Sequence, residues 1–218
     1  MTSFPRAVVR RIGPVSRRNR VTPRSAIVAT PERGLFLGNR GILHDDTGEV
    51  LRSHTHRTWI TCVLVYGSRR RQLMAPNRYT ELFFLDEPTA LAAGHRPCAE
   101  CRNAEYRRFK QLWRTALDDP TANAADIDRR LHADRLDRRA QRTYRAPLAD
   151  LPDGTMVESE GDPALLWHGR LLRWTPGGYD SERVAQPEVT VLTPRATVAV
   201  LAAGYAPSVH PSAGVAVH

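Results

Sequence analysis

The segment Cys98-Ala99-Glu100-Cys101 holds two of the chain's three cysteines. Two intervening residues let both sulfurs turn toward one point, as a metal ion about 2.3 Å from each sulfur requires. Pro97 stiffens the approach to the pair. A helix starting near Arg102 would set its backbone N–H groups and the positive end of its dipole beside the thiols, favouring thiolate. The same spacing serves redox pairs, which sit after a strand in a thioredoxin-like unit. Here the pair follows a short predicted helix and a glycine stop, so the metal reading, with zinc as the ion, is preferred. The third cysteine, Cys62, lies in a predicted strand and completes three ligands; otherwise it is a buried strand cysteine. The fourth position falls to His56, to His54, to His95, or to water, which would make an open site. His56 is preferred. Six residues separate it from Cys62, about 20 Å if extended, so joint ligation requires a bend near Arg57.

The elements that must position these residues are legible in outline. Residues 34–46 read as a strand, a turn at Gly38-Asn39 and a second strand. Residues 58–74 read as a hairpin, with Trp59–Tyr66 as the first strand, a turn at Gly67-Ser68, and Arg69, Arg70 and Arg71 leading the return. Residues 81–85 form another strand. Asp86 is placed to cap a helix running to Ala93, with Pro88 in its first turn and Gly94 as its stop. Tyr106, Phe109, Trp113 and Ala116 fall on one face of a helix over 103–117. A charged helix follows near 124–142, with Ile127, Leu131 and Leu136 as a thin apolar face. Beyond residue 150, strands joined by Gly and Pro turns lead to a helix over 195–204 and a loose tail. The block LAAG, aromatic or His, any residue, Pro occurs at 91–97 and again at 201–207. Each copy reads as strand, turn, helix and glycine stop, and the second carries no cysteine.

The run Phe83-Phe84 followed by ALAAGHRPCAEC resembles the metal-binding domain of the Ada family of alkylation-response proteins, over about residues 57–110. The resemblance implies a small α/β zinc domain that handles DNA, in which a zinc-bound thiolate accepts a methyl group from a DNA phosphotriester. That family supplies its other two ligands as a close cysteine pair on the N-terminal side. This chain offers only Cys62 there, so the resemblance does not carry methyl transfer with it.

Charge points the same way. The formal net charge is +9, and residues 1–30 hold seven Arg and no acid. The remainder is therefore nearly balanced, at about +2, and the basicity is largely that of an arm able to track phosphates. Thirty-one Arg against one Lys also reads as coding bias. Arg69, Arg70 and Arg71, with Arg96 and Arg102 flanking the cysteines, are the candidate phosphate contacts. Trp167, Trp174 and Tyr179 read as packing residues, with a base-stacking platform as the alternative. No phosphate-binding loop, nucleophile elbow or metalloprotease motif is present. The cysteine usage and the lack of an apolar run long enough for a bilayer point to a reducing, cytoplasmic setting without a membrane partner.

The expectation is an α+β protein: a flexible basic arm over 1–30, an Ada-like zinc unit over 31–118, a charged helical connector over 119–149, and a β-rich part over 150–218. Its function is read as zinc-stabilised nucleic-acid binding, with DNA as the partner. The alternatives are a DNA repair or processing enzyme using a zinc thiolate or an open zinc, and a metal-scaffolded protein-interaction module.

Overall fold

A computed structural model describes residues 16–67, 72–138 and 140–214. The architecture is α+β, with two six-stranded sheets and four α-helices among the described residues. The first sheet comprises β1 (Arg18–Val21), β2 (Ile27–Ala29), β3 (Phe36–Asn39), β4 (Ile60–Val63), β5 (Leu82–Phe84) and β6 (Arg96–Pro97), in the order β2-β1-β5-β3-β4-β6. The described half of the expected arm is thus part of this sheet. Asn19 and Val21 point inward, and β1 pairs with both β2 and β5.

Gly38 and Asn39 lie within β3 rather than at a turn. A Cβ on Gly38 would sit 2.3 Å from the Ile60 carbonyl oxygen and 2.9 Å from the Phe84 ring, so this glycine answers a close strand approach. The expected hairpin over 58–74 is also corrected. β4 pairs antiparallel with β3 and parallel with β6, and residues 72–80 contain no strand.

α1 (Glu87–Ala92) begins where Asp86 accepts the Thr89 N–H, with Pro88 in its first turn. It stops at Gly94, whose φ of +84° favours glycine. α2 (Asn103–Ala116) buries Tyr106, Phe109, Leu112 and Trp113 along one face. α3 (Ala124–Arg135) starts at a reciprocal cap between Asn123 and Asp126. It ends at Arg135, not near 142, because the chain then forms a short hairpin of β7 (Leu136–Asp137) and β8 (Ala140–Gln141).

The second sheet holds β9 (Tyr144–Pro147), β10 (Met156–Ser159), β11 (Asp162–Trp167), β12 (Arg170–Thr175), β13 (Gly178–Arg183) and β14 (Glu188–Val191), in the order β13-β12-β11-β10-β14-β9. α4 (Arg195–Ala202) follows β14 as α1 follows β5. The sequence echo is matched in the backbone. Gly204 has φ +98°, and the N–H groups of His95 and Tyr205 each close back onto the helix before them, at Ala90 O (2.9 Å) and Val200 O (3.2 Å).

The two halves share their cores. Leu91, Phe109 and Trp113 pack with Ala196, Val200 and Leu201, and Leu85 and Ala92 pack with Met156, Leu165 and Leu172. The tail is held through residue 214 rather than loose. Ser208 N–H donates to Glu87 (2.9 Å) and His210 N–H to Asp86 (3.1 Å). Trp174 and Tyr179 reach the same helix start, at Thr89 and Asp86, in accord with packing. No helix of the described residues is long and apolar enough to cross a membrane.

Two buried ion pairs tie these parts together. Arg102 donates to Glu87 at 2.8 Å, and Glu87 also accepts from the Tyr205 hydroxyl at 2.7 Å. Arg96 meets Asp128 of α3 through two bonds, 2.7 and 2.9 Å. Removing one partner of such a pair strands a buried charge. Glu87→Gln should therefore lower the unfolding free energy by about 3 kcal/mol in urea denaturation, whereas Arg145→Ala, which breaks the exposed Arg145–Glu188 pair, should cost under about 1 kcal/mol.

Candidate metal centre

Strand register builds the site. Cys62 sits on β4 opposite Leu37. β6 runs beside β4, pairing Thr61 with Pro97, and the Cys98 N–H donates to the Thr61 carbonyl at 2.9 Å. Cys98 is thereby laid next to Cys62. The chain then turns through Ala99 and Glu100 to Cys101, at the start of α2. The Glu100 N–H points at the Cys98 sulfur, 3.4 Å away.

The three sulfurs lie within 4.8 Å of one another. Tetrahedral coordination at about 2.3 Å requires sulfur separations of about 3.8 Å, so at most a small contraction brings all three onto one ion. The thiols already share protons. Cys98 is held down to about 5, first because the Cys62 S–H donates to it and further because backbone N–H groups at Glu100 and Cys101 face it, against the opposing effect of burial. Cys62 is pushed up, because it is the donor to Cys98 and is desolvated. Burial also raises Cys101. A cation here would take the place of these shared protons.

The sulfurs open onto a cleft of about 280 Å³. Its walls carry Leu37, Ile60, Leu64, Tyr66, Leu73 and Tyr79, and its two carboxylates are Glu81 and Glu100. Glu81 is buried and accepts the Met74 N–H at 2.7 Å. In the sequence, Glu81 reads only as the opening residue of the strand over 81–85. Its polarity at the head of the apolar run LFFL is the signal that was there to read.

Of the expected site residues, the structure brings Cys62, Cys98 and Cys101 together and leaves the histidines elsewhere. His56 does not join the cluster. Its carbonyl accepts from the Trp59 indole at 2.9 Å, and no bend near Arg57 brings its ring to the sulfurs. His54 and His95 lie against Trp59, with ring centroids 5.4 and 5.2 Å away. Arg96 and Arg102 are not phosphate contacts at the knuckle: both are buried and engaged by Asp128 and Glu87. Arg69, Arg70 and Arg71 lie outside the described residues.

The histidines belong to a basic cluster. Trp59 packs against the guanidinium of Arg40, 4.1 Å from its ring centroid, and that of Arg135, 3.6 Å away. Arg40 donates to His95 Nε2 at 3.4 Å, which leaves that nitrogen unprotonated. His132 faces Arg135 at 2.9 Å.

No protein-family model, curated protein or solved structure matches this chain.

Burial and the two arginines push His95 well below its ordinary 6.5, and desolvation with Arg135 lowers His132 to about 4. The unfolded chain therefore binds more protons than the folded one once the pH drops below about 6.5. Stability from this cluster is full above that pH and lost as pH falls toward the folded values. The urea midpoint should hold down to about pH 6.5 and decline below it toward about pH 5, and a flat profile through that lower range would contradict the buried neutral imidazole.

Proposed function

We propose that Cys62, Cys98 and Cys101 hold a zinc ion whose fourth position faces the cleft, where it takes water or a donor atom from a bound ligand. One observation carries this reading. Three sulfurs converge, and no fourth His, Cys, Asp or Glu among the described residues joins them. The residues outside the description contain no Cys, Asp or Glu, and His218 is their one His. Closed structural zinc sites use four protein ligands, whereas three protein ligands facing a cleft is the pattern of an open site. Thiolate softness favours zinc over the hard cations.

Bound zinc would supply Lewis acidity at the head of the cleft. The protein's own part is to hold and shape. β4 and the turn before α2 fix the sulfurs. Leu37, Ile60 and Leu73 line the cleft with apolar surface that limits water. Glu81 is a buried carboxylate that also lines the cleft and can accept a hydrogen bond from what is bound. This supports the reading of an open zinc in an enzyme or ligand-binding protein over that of a purely structural knuckle.

Nucleic acid remains the proposed partner class. Its support is the net charge of +9 and the run Arg69-Arg70-Arg71, set in sequence between Tyr66 and Leu73, which both line the cleft. The Ada resemblance adds to that support.

The test is zinc content of tag-free protein purified without added metal. About one zinc per chain is expected. Cys62→Ser, Cys98→Ser and Cys101→Ser should each lose most of it, and His56→Ala should retain it. Folded wild-type protein without zinc would overturn the proposal.

A further inference from the structure

A second cleft, of about 550 Å³, lies away from the cysteines and shares no lining residue with theirs. Four arginines line it, Arg18, Arg24, Arg40 and Arg52, and no carboxylate does. Two of the four already have acidic partners: Arg24 meets Glu158 through two bonds, and Arg18 lies 3.8 Å from Glu49. Arg52 is exposed and pairs with no acid among the described residues. Arg40 is the unusual one. Its side chain is fully buried, yet it has no carboxylate partner. Nη1 donates to the Ser25 carbonyl at 3.0 Å, Nε donates to His95, and Nη2 has no hydrogen-bond partner.

The surroundings deepen this imbalance. Arg135, which also stacks on Trp59, donates only to carbonyls and to His132. Asp128, the acid that acts on both Arg135 and His56, is already committed to Arg96 by two bonds. Burial, with repulsion from Arg135 added, lowers Arg40 from its ordinary value, and burial lowers Arg135 against the opposing pull of Asp128. A buried charge without a counter-ion is costly, and a guanidinium fork matches the geometry of phosphoryl oxygens.

We propose that this cleft is a phosphate-binding site, lined by the buried Arg40, the exposed Arg52, Ser25 and Ser53. The ligand is a phosphoryl oxyanion, carried either on a small phosphorylated molecule or on a nucleic-acid backbone. The site stands independently of the zinc reading.

The experiment is calorimetric titration of the full chain with inorganic phosphate and pyrophosphate at constant ionic strength, against a chloride control. A second arm uses a short single-stranded oligonucleotide. Saturable phosphate binding is expected, weakened by about tenfold or more in Arg52→Glu, a surface change that leaves the core intact, and in Arg40→Gln where that variant folds. Oligonucleotide binding displaced by pyrophosphate would identify the nucleic-acid backbone as the source. Phosphate binding without oligonucleotide binding would identify a small molecule. Cys98→Ser should bind phosphate as the wild type does. No binding beyond the chloride control, unchanged affinity in Arg52→Glu, or loss of binding in Cys98→Ser with retention in Arg52→Glu would each overturn the assignment, the last by placing the anion at the cysteines.

Discussion

Two buried arginine–carboxylate pairs flank the cysteine knuckle, and the geometry of the site depends on them. Arg96, two residues before Cys98, is held by Asp128 of α3. Arg102, one residue after Cys101, is held by Glu87 at the start of α1. Between these anchors the chain has little freedom. It must pass along β4, present Cys98 beside Cys62, and turn Cys101 back before α2 begins. Because each charge lies in a dry setting, each pair must stay whole, so the knuckle is placed by interactions that are costly to break.

The same Glu87 explains what the C-terminal half contributes. Tyr205, from the second copy of the LAAG block, donates its hydroxyl to Glu87, and the Ser208 N–H takes the other carboxylate oxygen. In the first copy the matching position after the glycine is His95, which packs on Phe84 and Trp59. The two copies thus diverge in task. One leads into the cysteines and the basic cluster, and the other braces the helix start behind them. A half of the chain without any cysteine is in this way part of the support of the cysteine cluster.

Much of this order was legible in the residues, and the reasons differ by element. The helix α1 was readable because Asp86, Pro88 and Gly94 each act within a few residues of themselves. The amphipathic face of α2 was readable from Tyr106, Phe109 and Trp113, since periodicity is a local signal. The convergence of Cys62 with Cys98 and Cys101 followed from placing one cysteine on a strand next to the knuckle. Arg96 and Arg102 were misread because charge alone does not reveal burial, and their acids lie 32 and 15 residues away. Gly38 looked like a turn because the clash it avoids involves Ile60 and Phe84, which are distant in sequence. His56 looked like a ligand because spacing cannot show that the chain there stays turned toward Trp59. The sheet strands at Arg18–Val21 and Ile27–Ala29 and the end of the third helix at Arg135 were hidden for the same reason: strand pairing and a two-residue hairpin strand depend on partners elsewhere.

In the proposed zinc site, three thiolates and one non-protein donor surround the ion. X-ray absorption at the zinc edge of the purified full chain should show about three sulfur neighbours near 2.3 Å and one nitrogen or oxygen neighbour at a shorter distance. A first shell of four sulfurs, or one with fewer than three, would exclude that arrangement.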